Sequence, residues 1–219
     1  MNLTIAEENY IKSIYKLQEG QQTVTTTALA YELDTKPASV TDMAKKLKEK
    51  KLIDYEKYQG LQLSAEGRKA ALQIIRRHRL WECFLVDKLN FSWDEVHELA
   101  EELEHVRSEK LINRLSEYLG NPTIDPHGDP IPDANGKIGK QRPQTSLDLS
   151  TAKRLEITAV SDQSSALLEF LNAKGIRLGT HIDVIERYEF DNSMEIKIKN
   201  QPAFTISEQV CKSIMVRPV

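Results

Sequence analysis

Apolar residues recur at intervals of three and four through most of the first 120 positions, and beyond residue 150 they tend to alternate with polar ones. The first spacing is that of a helix face, the second that of a half-buried strand. Thr4 to Gln18 predicts a helix: Thr4 and Glu7 form a capping box, and Ile5, Ile11, Ile14, Tyr15 and Leu17 make its apolar stripe. The Thr25-Thr26-Thr27 run caps a short helix carrying Ala28, Leu29 and Leu33. Asp34 to Lys36 makes a tight connection, and Pro37 suits the first turn of a helix running to about Lys50, with Val40, Met43, Ala44 and Leu47 inward. Two strand-like runs follow, Leu52 to Tyr58 and Leu61 to Leu63, with Gln59-Gly60 as the turn between them.

Helix, short helix, turn, helix, hairpin is the plan of a winged helix-turn-helix. After it, Ala65 to Lys88 predicts a long helix, basic in the middle (Arg76, Arg77, Arg79) and apolar toward its end (Leu80, Trp81, Phe84, Leu85, Leu89). Ser92 and Glu95 form a capping box that opens an acidic helix carrying His97 to His105, and Glu109 to Leu119 is helical up to Gly120. Residues 121–144 hold five of the eight prolines and three glycines with almost no periodicity, which reads as a long loop or linker. Strand-like runs then appear at Leu155 to Val160, His181 to Phe190 and Met194 to Ile198, with a turn at Asp191-Asn192-Ser193. A short helix, Ser164 to Ala173, ends at Gly175, and Ile214 to Val216 closes a small barrel-like domain. The expected organisation is 1–64, 65–120, a linker at 121–149, and 150–219.

Composition narrows the class. A chain of 219 residues with 40% hydrophobic and 29% charged positions is ordinary globular material. No apolar run approaches the roughly 20 residues of a membrane helix, and Met1 to Glu8 lacks the basic and apolar regions of a signal peptide. Cys83 and Cys211 alone build neither a disulfide framework nor a thiolate zinc site, so a cytoplasmic location is expected. The net charge of −3 excludes a generic polycation, so nucleic-acid binding requires a local basic surface.

Two groups of residues carry chemistry. His78 and Glu82 are four apart; His97, Glu101 and His105 are spaced four and four, with Glu104 beside them. Imidazole and carboxylate groups on a shared face suit a divalent ion, and acids that repel one another without it make such a site a switch. An oxygen- and nitrogen-rich set without nearby thiolate favours Mn²⁺ or Fe²⁺, with Zn²⁺ as an alternative. Asp125 and His127 add a ligand pair inside the linker. Taken singly, these residues read as a solvated acidic face; together they read as a metal site. The second group is the exposed start of the second helix-turn-helix helix, Lys36, Pro37, Ser39, Thr41, Asp42 and Lys45, with Thr26 on the helix before it. Small hydroxyl residues and lysines there reach base edges and phosphates in a major groove. Lys57, Tyr58 and Gln59 would sit at the wing against the backbone. Lys48, Lys50 and Lys51 equally suit a helix end that favours positive charge.

These residues resemble the diphtheria toxin repressor family of iron- and manganese-dependent transcriptional regulators, with the manganese-type transport regulators most similar. The likeness rests on Arg77-His78-Arg79-Leu80-Trp81-Glu82, Val96-His97, Glu104-His105-Val106, Pro37-Ala38-Ser39-Val40-Thr41, Tyr55 to Leu61, and Pro126-His127-Gly128-Asp129-Pro130-Ile131-Pro132. It implies a mainly α protein with a small β part: a winged-helix DNA-binding domain, a helical metal-binding and dimerisation domain, and a C-terminal SH3-like β-barrel. It implies a homodimeric repressor of manganese or iron homeostasis genes that binds a palindromic operator once metal is bound, with Mn²⁺ preferred, Fe²⁺ second, and Zn²⁺, Co²⁺ or Ni²⁺ as substitutes in vitro. The activating site implied is Asn9, Glu101, Glu104 and His105. The second is His78 and Glu82, joined by His97 in iron-type members and by Asp125, His127 and Asp162 in manganese-type members, with Gln163 as a further contact. This chain departs from the pattern at Asn9, where relatives carry Met or Asp; Glu8 next to it is an alternative ligand. It departs again at Lys12, where some manganese-type members carry a ligating Glu, and at Glu101 and Asp125, where some relatives carry Cys.

Two other classes stand beside this one. Glu102-x-x-His105 matches half of a di-iron carboxylate motif, but the other half is missing, because His78 is followed rather than preceded by its acid. With no activated Ser or Cys arrangement and no Gly-rich phosphate loop, the expectation is that the protein is not an enzyme. A metal-independent winged-helix regulator of small molecules is the other alternative.

Overall fold

The computed structural model describes residues 3–18, 23–56 and 60–219. Lys57, Tyr58 and Gln59, expected at the wing, lie outside the described residues. Two compact units are present, each assembled from three segments. One comprises Met1–His78, Glu101–Arg114 and Pro132–Ile138; the other comprises Arg79–Ala100, Leu115–Ile131 and Gly139–Val219.

The first unit opens with α1 (Ile5–Gln18), capped by Thr4: the Thr4 amide donates to Glu7 Oε2 at 2.8 Å and the Glu7 amide to Thr4 Oγ1 at 3.2 Å. Then come α2 (Thr26–Glu32), capped by the Thr25 hydroxyl, and α3 (Pro37–Glu49), with proline in its first turn. Strands β1 (Ile53–Glu56) and β2 (Gly60–Leu63) pair antiparallel, Ile53 opposite Leu63, and Val24 adds a one-residue bridge to Leu61. Ile11, Ile14, Leu29, Val40, Leu47, Leu52 and Leu61 form the core beneath these elements, joined by Ile74 from α4 (Ala65–Leu89). Burying such a stripe supplies most of a short helix's stability.

Of the remaining helices, α5 covers Val96–Leu103 and α6 Glu109–Tyr118. The acidic helix is shorter than its spacing predicts. The acidic helix stops at Leu103, so Glu104 and His105 lie in the turn beyond it and do not continue the His97–Glu101 face. The carbonyl of Glu104 takes the Arg77 Nε–H, a side-chain partner for a backbone group that a longer helix would have satisfied.

In the second unit six antiparallel strands run in the order β3-β8-β4-β5-β6-β7. They are β3 (Thr145–Ser146), β4 (Arg154–Val160), β5 (His181–Arg187), β6 (Met194–Ile198), β7 (Phe204–Ile206) and β8 (Ile214–Pro218). Two helices, α7 (Ser165–Ala173) and α8 (Glu208–Ser213), accompany them, and Leu155, Ile157, Leu168, Ile182, Ile196 and Val216 fill the core. Strands β3 and β7 and helix α8 are too short to leave a periodic signal in the sequence. Among the described residues no helix is long and apolar enough to cross a membrane.

Candidate metal centre and nucleic-acid interface

The proline-rich stretch that the sequence offers as a linker contains a built loop. Its ends meet in a bridge between Ile124 and Pro130. Inside, Asp125 Oδ1 accepts the backbone N–H groups of His127 and Asp129, both at 2.9 Å. An Asx turn of this kind substitutes a side chain for a backbone turn. Gly128 has φ +93°, and a Cβ on it would lie 2.2 Å from the Thr158 carbonyl oxygen and 2.5 Å from Ala159 Cα, so only glycine lets the loop lie against β4. The Val160 amide donates to the His127 carbonyl at 2.9 Å and completes the seam.

This loop holds Asp125 and His127 beside Glu82 of α4. One donor atom from each lies within 4.8 Å of the others, and all three residues are buried; Asp125 is 3% exposed, and Glu82 and His127 are both 0% exposed. The histidine is oriented for ligation. Its Nε2 lies 2.8 Å from the Trp93 carbonyl oxygen, which can only accept, so the proton belongs on Nε2 and the Nδ1 lone pair faces Glu82 Oε1 at 3.6 Å. Buried Nδ1 has no hydrogen-bond partner, and neither has Asp125 Oδ2, whose nearest cation is Arg79 Nε at 3.3 Å. Arg79 also donates to Asp129 Oδ2 at 3.1 Å and to the Pro130 carbonyl. Glu82, Asp125 and Asp129 against Arg79 leave a charge of −2 with His127 neutral, which one divalent ion offsets. Burial, reinforced by Glu82 and Asp129, pushes the Asp125 carboxyl up to about 7. Burial pulls His127 down, but Glu82 and Asp125 outweigh it and hold the imidazole above its ordinary range. Acids that resist ionising together, and buried lone pairs with nothing to bond, fit a divalent cation.

The other expected ligands divide. His97 Nδ1 stands 3.5 Å from Glu82 Oε1 and is partly exposed. Asp162 accepts the Ser164 amide at 2.9 Å at the entrance to α7, and Gln163 Nε2 donates to Asp129 Oδ2 at 3.1 Å. Asp162 is therefore in the same unit but outside the trio that shares one centre.

In the first unit, Glu101 and Glu104 converge on the ammonium of Lys12, with Nζ 2.7 Å from Glu101 Oε1, 2.7 Å from Glu104 Oε1 and 2.8 Å from Glu104 Oε2. His78 Nδ1 contacts Glu104 Oε2 at 2.7 Å. His105 Nδ1 lies 2.7 Å from Glu8 Oε2, while Glu8 Oε1 faces Arg77 at 3.1 Å and Arg107 at 3.3 Å. The side-chain oxygen Oδ1 of Asn9 is buried and accepts no hydrogen bond. Lys12, a departure from the family pattern, is thus the counter-ion of both Glu101 and Glu104, a place that its position in the sequence does not reveal. The available signal is a lysine between Ile11 and Ile14 of the apolar stripe.

On the nucleic-acid side, Lys36, Pro37, Ser39, Asp42 and Lys45 at the start of α3 are not buried, and Thr26 and Thr41 also reach the surface. Thr41 Oγ1 donates to the Pro37 carbonyl at 3.0 Å, and Lys45 pairs with Asp42 at 3.0 Å. Lys48 and Lys50, further along, are used internally: Lys48 donates to the Tyr55 carbonyl at 2.8 Å and Lys50 pairs with Glu7 at 2.7 Å.

Comparison with known proteins agrees with this anatomy. Three family models match in succession: the N-terminal DNA-binding domain of iron-dependent repressors over residues 2–61, their metal-binding and dimerisation domain over 64–133, and the FeoA domain over 147–218. The iron-dependent repressor IdeR of Mycobacterium tuberculosis is 37% identical over 125 residues, covering 57% of this chain and 54% of the relative. The chain thus spans about half the length of the mycobacterial relatives it matches. A solved manganese-dependent transcriptional repressor in complex with manganese superimposes with a TM-score of 0.88 at 33% identity, covering 97% of this chain and 100% of the other. ScaR with bound Cd²⁺ gives 0.82 at 29% identity, covering 97% and 99%. The protein belongs to the diphtheria toxin repressor family of iron- and manganese-dependent transcriptional repressors.

Proposed function

We propose that this protein is a metal-activated repressor of manganese or iron homeostasis genes, acting in the cytoplasm as a homodimer on a palindromic operator, and that it is not an enzyme. The observation that carries the reading is the buried trio Glu82, Asp125 and His127, with two donor atoms that hydrogen-bond to nothing. These three would hold the ion, with His97 beside Glu82 as a further donor. When bound, the ion supplies the positive charge that lets both carboxylates stay ionised in a buried place. The chain does the rest. Trp93 sets the tautomer of His127, Arg79 pins Asp129 and the Pro130 carbonyl, and Asp125 Oδ1 shapes the loop while Oδ2 remains available. The all-oxygen-and-nitrogen donor set favours Mn²⁺, then Fe²⁺; Zn²⁺, Co²⁺ and Ni²⁺ would bind in vitro because affinity alone follows a different order. The reading is tested by operator-binding titrations in anaerobic, chelator-buffered solution with Mn²⁺, Fe²⁺ and Zn²⁺ supplied separately. Equal operator affinity with and without each metal would favour a metal-independent winged-helix regulator instead.

Proton release accompanies metal binding. The raised Asp125 carboxyl holds a proton near neutrality that the ion must displace, and the upward shift of His127 acts in the same direction, so Mn²⁺ affinity rises as pH increases through neutrality, up to about tenfold per pH unit for each proton displaced. Calorimetric titration in buffers of different ionisation enthalpy counts those protons. The metal-free protein shows the opposite trend. Asp125 moves from 3.8 to about 7 on folding, so its contribution to stability is fully present below 3.8 and is lost as pH rises through 7. His127, also raised, has the same sign. Thermal melts in chelator should therefore lose stability through this window, and melts in Mn²⁺ should not.

At the DNA surface, Lys36 lies beside the first turn of α3 and suits a phosphate. Lys36→Ala should weaken operator and unrelated DNA alike and lower the slope of log affinity against log salt by about 1. Binding isotherms at several salt concentrations read this directly.

A further inference from the structure

The Glu101–Glu104 pocket already contains a cation. Lys12 is 5% exposed and Glu104 is 0% exposed, so the pair lies out of water. An ammonium has three protons and no lone pair. All three have a carboxylate oxygen at 2.7–2.8 Å: one on Glu101 and two on Glu104. Such charge-assisted bonds are short and strong. The surrounding charges close without a metal: Glu8, Glu101 and Glu104 face Lys12, Arg77 and Arg107. His105, an expected ligand, is turned to Glu8, and His78 to Glu104. A divalent ion entering here would have to expel a buried ammonium and leave it without a partner, which is costly. The donors therefore do not fit a metal while Lys12 is present.

We propose that the Lys12 ammonium is the resident cation of this pocket. It holds α1 against the end of α5 permanently, where a metal ion would do so only when available. The Glu101–Glu104 pocket consequently takes no divalent ion, and the one ion expected per subunit is the one at Glu82–Asp125–His127. The count of one rests on the function proposed above; the clamp by Lys12 does not.

The experiment uses the full-length protein stripped by chelator, with Mn²⁺ as the probe. Bound ions per chain are measured by equilibrium dialysis with metal analysis, and melting temperature is measured with and without Mn²⁺. Wild type should bind one ion. Glu101→Gln, a change at the half-exposed rim of the pocket, should still bind one, and His127→Ala should bind none. Lys12→Glu should melt several degrees lower in chelator, bind a second ion, and regain its melting temperature on adding Mn²⁺. The introduced carboxylate, Glu101, Glu104 and the unbonded Asn9 oxygen one turn away would then offer oxygen donors in place of the ammonium. In the Lys12→Glu, His127→Ala double variant one ion should remain. The proposal is overturned if wild type binds two ions and Glu101→Gln removes one, or if Lys12→Glu gains neither an ion nor stability from Mn²⁺. If His127→Ala leaves the wild-type count unchanged, the metal-centre assignment fails instead, and the Glu101→Gln and Lys12→Glu results still decide the clamp.

Discussion

Asp125→Asn should produce a protein that folds as well as wild type, or better, in chelator and yet responds to no manganese. The substitution keeps Oδ1, which accepts the His127 and Asp129 amides, so the loop retains its turn. It replaces the buried Oδ2, which no hydrogen bond satisfies, with an amide nitrogen that cannot ligate. It also removes a negative charge that burial, Glu82 and Asp129 make costly, a gain that outweighs the lost pairing with Arg79 Nε at 3.3 Å. Without metal, the variant's melting temperature should equal or exceed that of wild type at a pH above neutrality. With metal, the difference reverses. At a free Mn²⁺ concentration about a hundredfold above the dissociation constant, ligand linkage stabilises wild type by about 2.7 kcal/mol. The variant should gain almost none of this, because losing a coordinating group costs at least the ~100-fold in affinity that can follow from losing a mere supporting partner of a ligand. Operator binding should no longer depend on added Mn²⁺. A variant still stabilised by low Mn²⁺ would remove Asp125 from the centre.

Gly128→Ala should be the more destructive change, although it touches no donor atom. Two costs combine. The backbone at φ +93° is a conformation that alanine rarely adopts, worth about 1–3 kcal/mol. The new methyl carbon would also lie 2.2 Å from a backbone oxygen of β4 and 2.6 Å from the Ala159 side chain, and a paired strand cannot retreat cheaply. A total loss of about 3 kcal/mol or more is expected, read as a lower midpoint in denaturant. If the loop escapes by lifting from β4, the stability loss will be smaller, but His127 will leave Glu82 and Mn²⁺ binding will be lost. Wild-type stability together with wild-type Mn²⁺ affinity would show the contact to be unimportant.

Elements that bury a continuous apolar stripe were legible in the sequence. Helices α1, α3 and α4 and strand β6 follow from periodicity and from Thr4, Glu7 and Pro37 at their starts. The end of α5 was not legible, because it is set by Arg77, 27 residues away, capping the Glu104 carbonyl. Nor was the order inside residues 121–144. A loop held by an Asx turn and a glycine pressed on a strand has no period to detect, and its proline content reads equally as linker. Helical spacing picks out His78, Glu82, His97, Glu101 and His105 as candidate ligands, but it does not show which distant residues meet them. Glu82 meets Asp125 and His127 from a distant part of the chain, and Lys12 meets Glu104 across 92 positions.

The seam between the Asp125–Asp129 loop and β4 ties distant parts of the chain together. All three residues of the buried trio precede the C-terminal sheet in the chain, yet the placement of Asp125 and His127 is borrowed from it, through the Val160 amide and the flat contact of Gly128 on Thr158 and Ala159. Position 128 and positions 158–160 therefore cannot drift independently. A chain that kept Glu82, Asp125 and His127 but shed the sheet would lose the strand against which the last two are seated. A substitution in β4 can thus displace Asp125 and His127 without touching either of them.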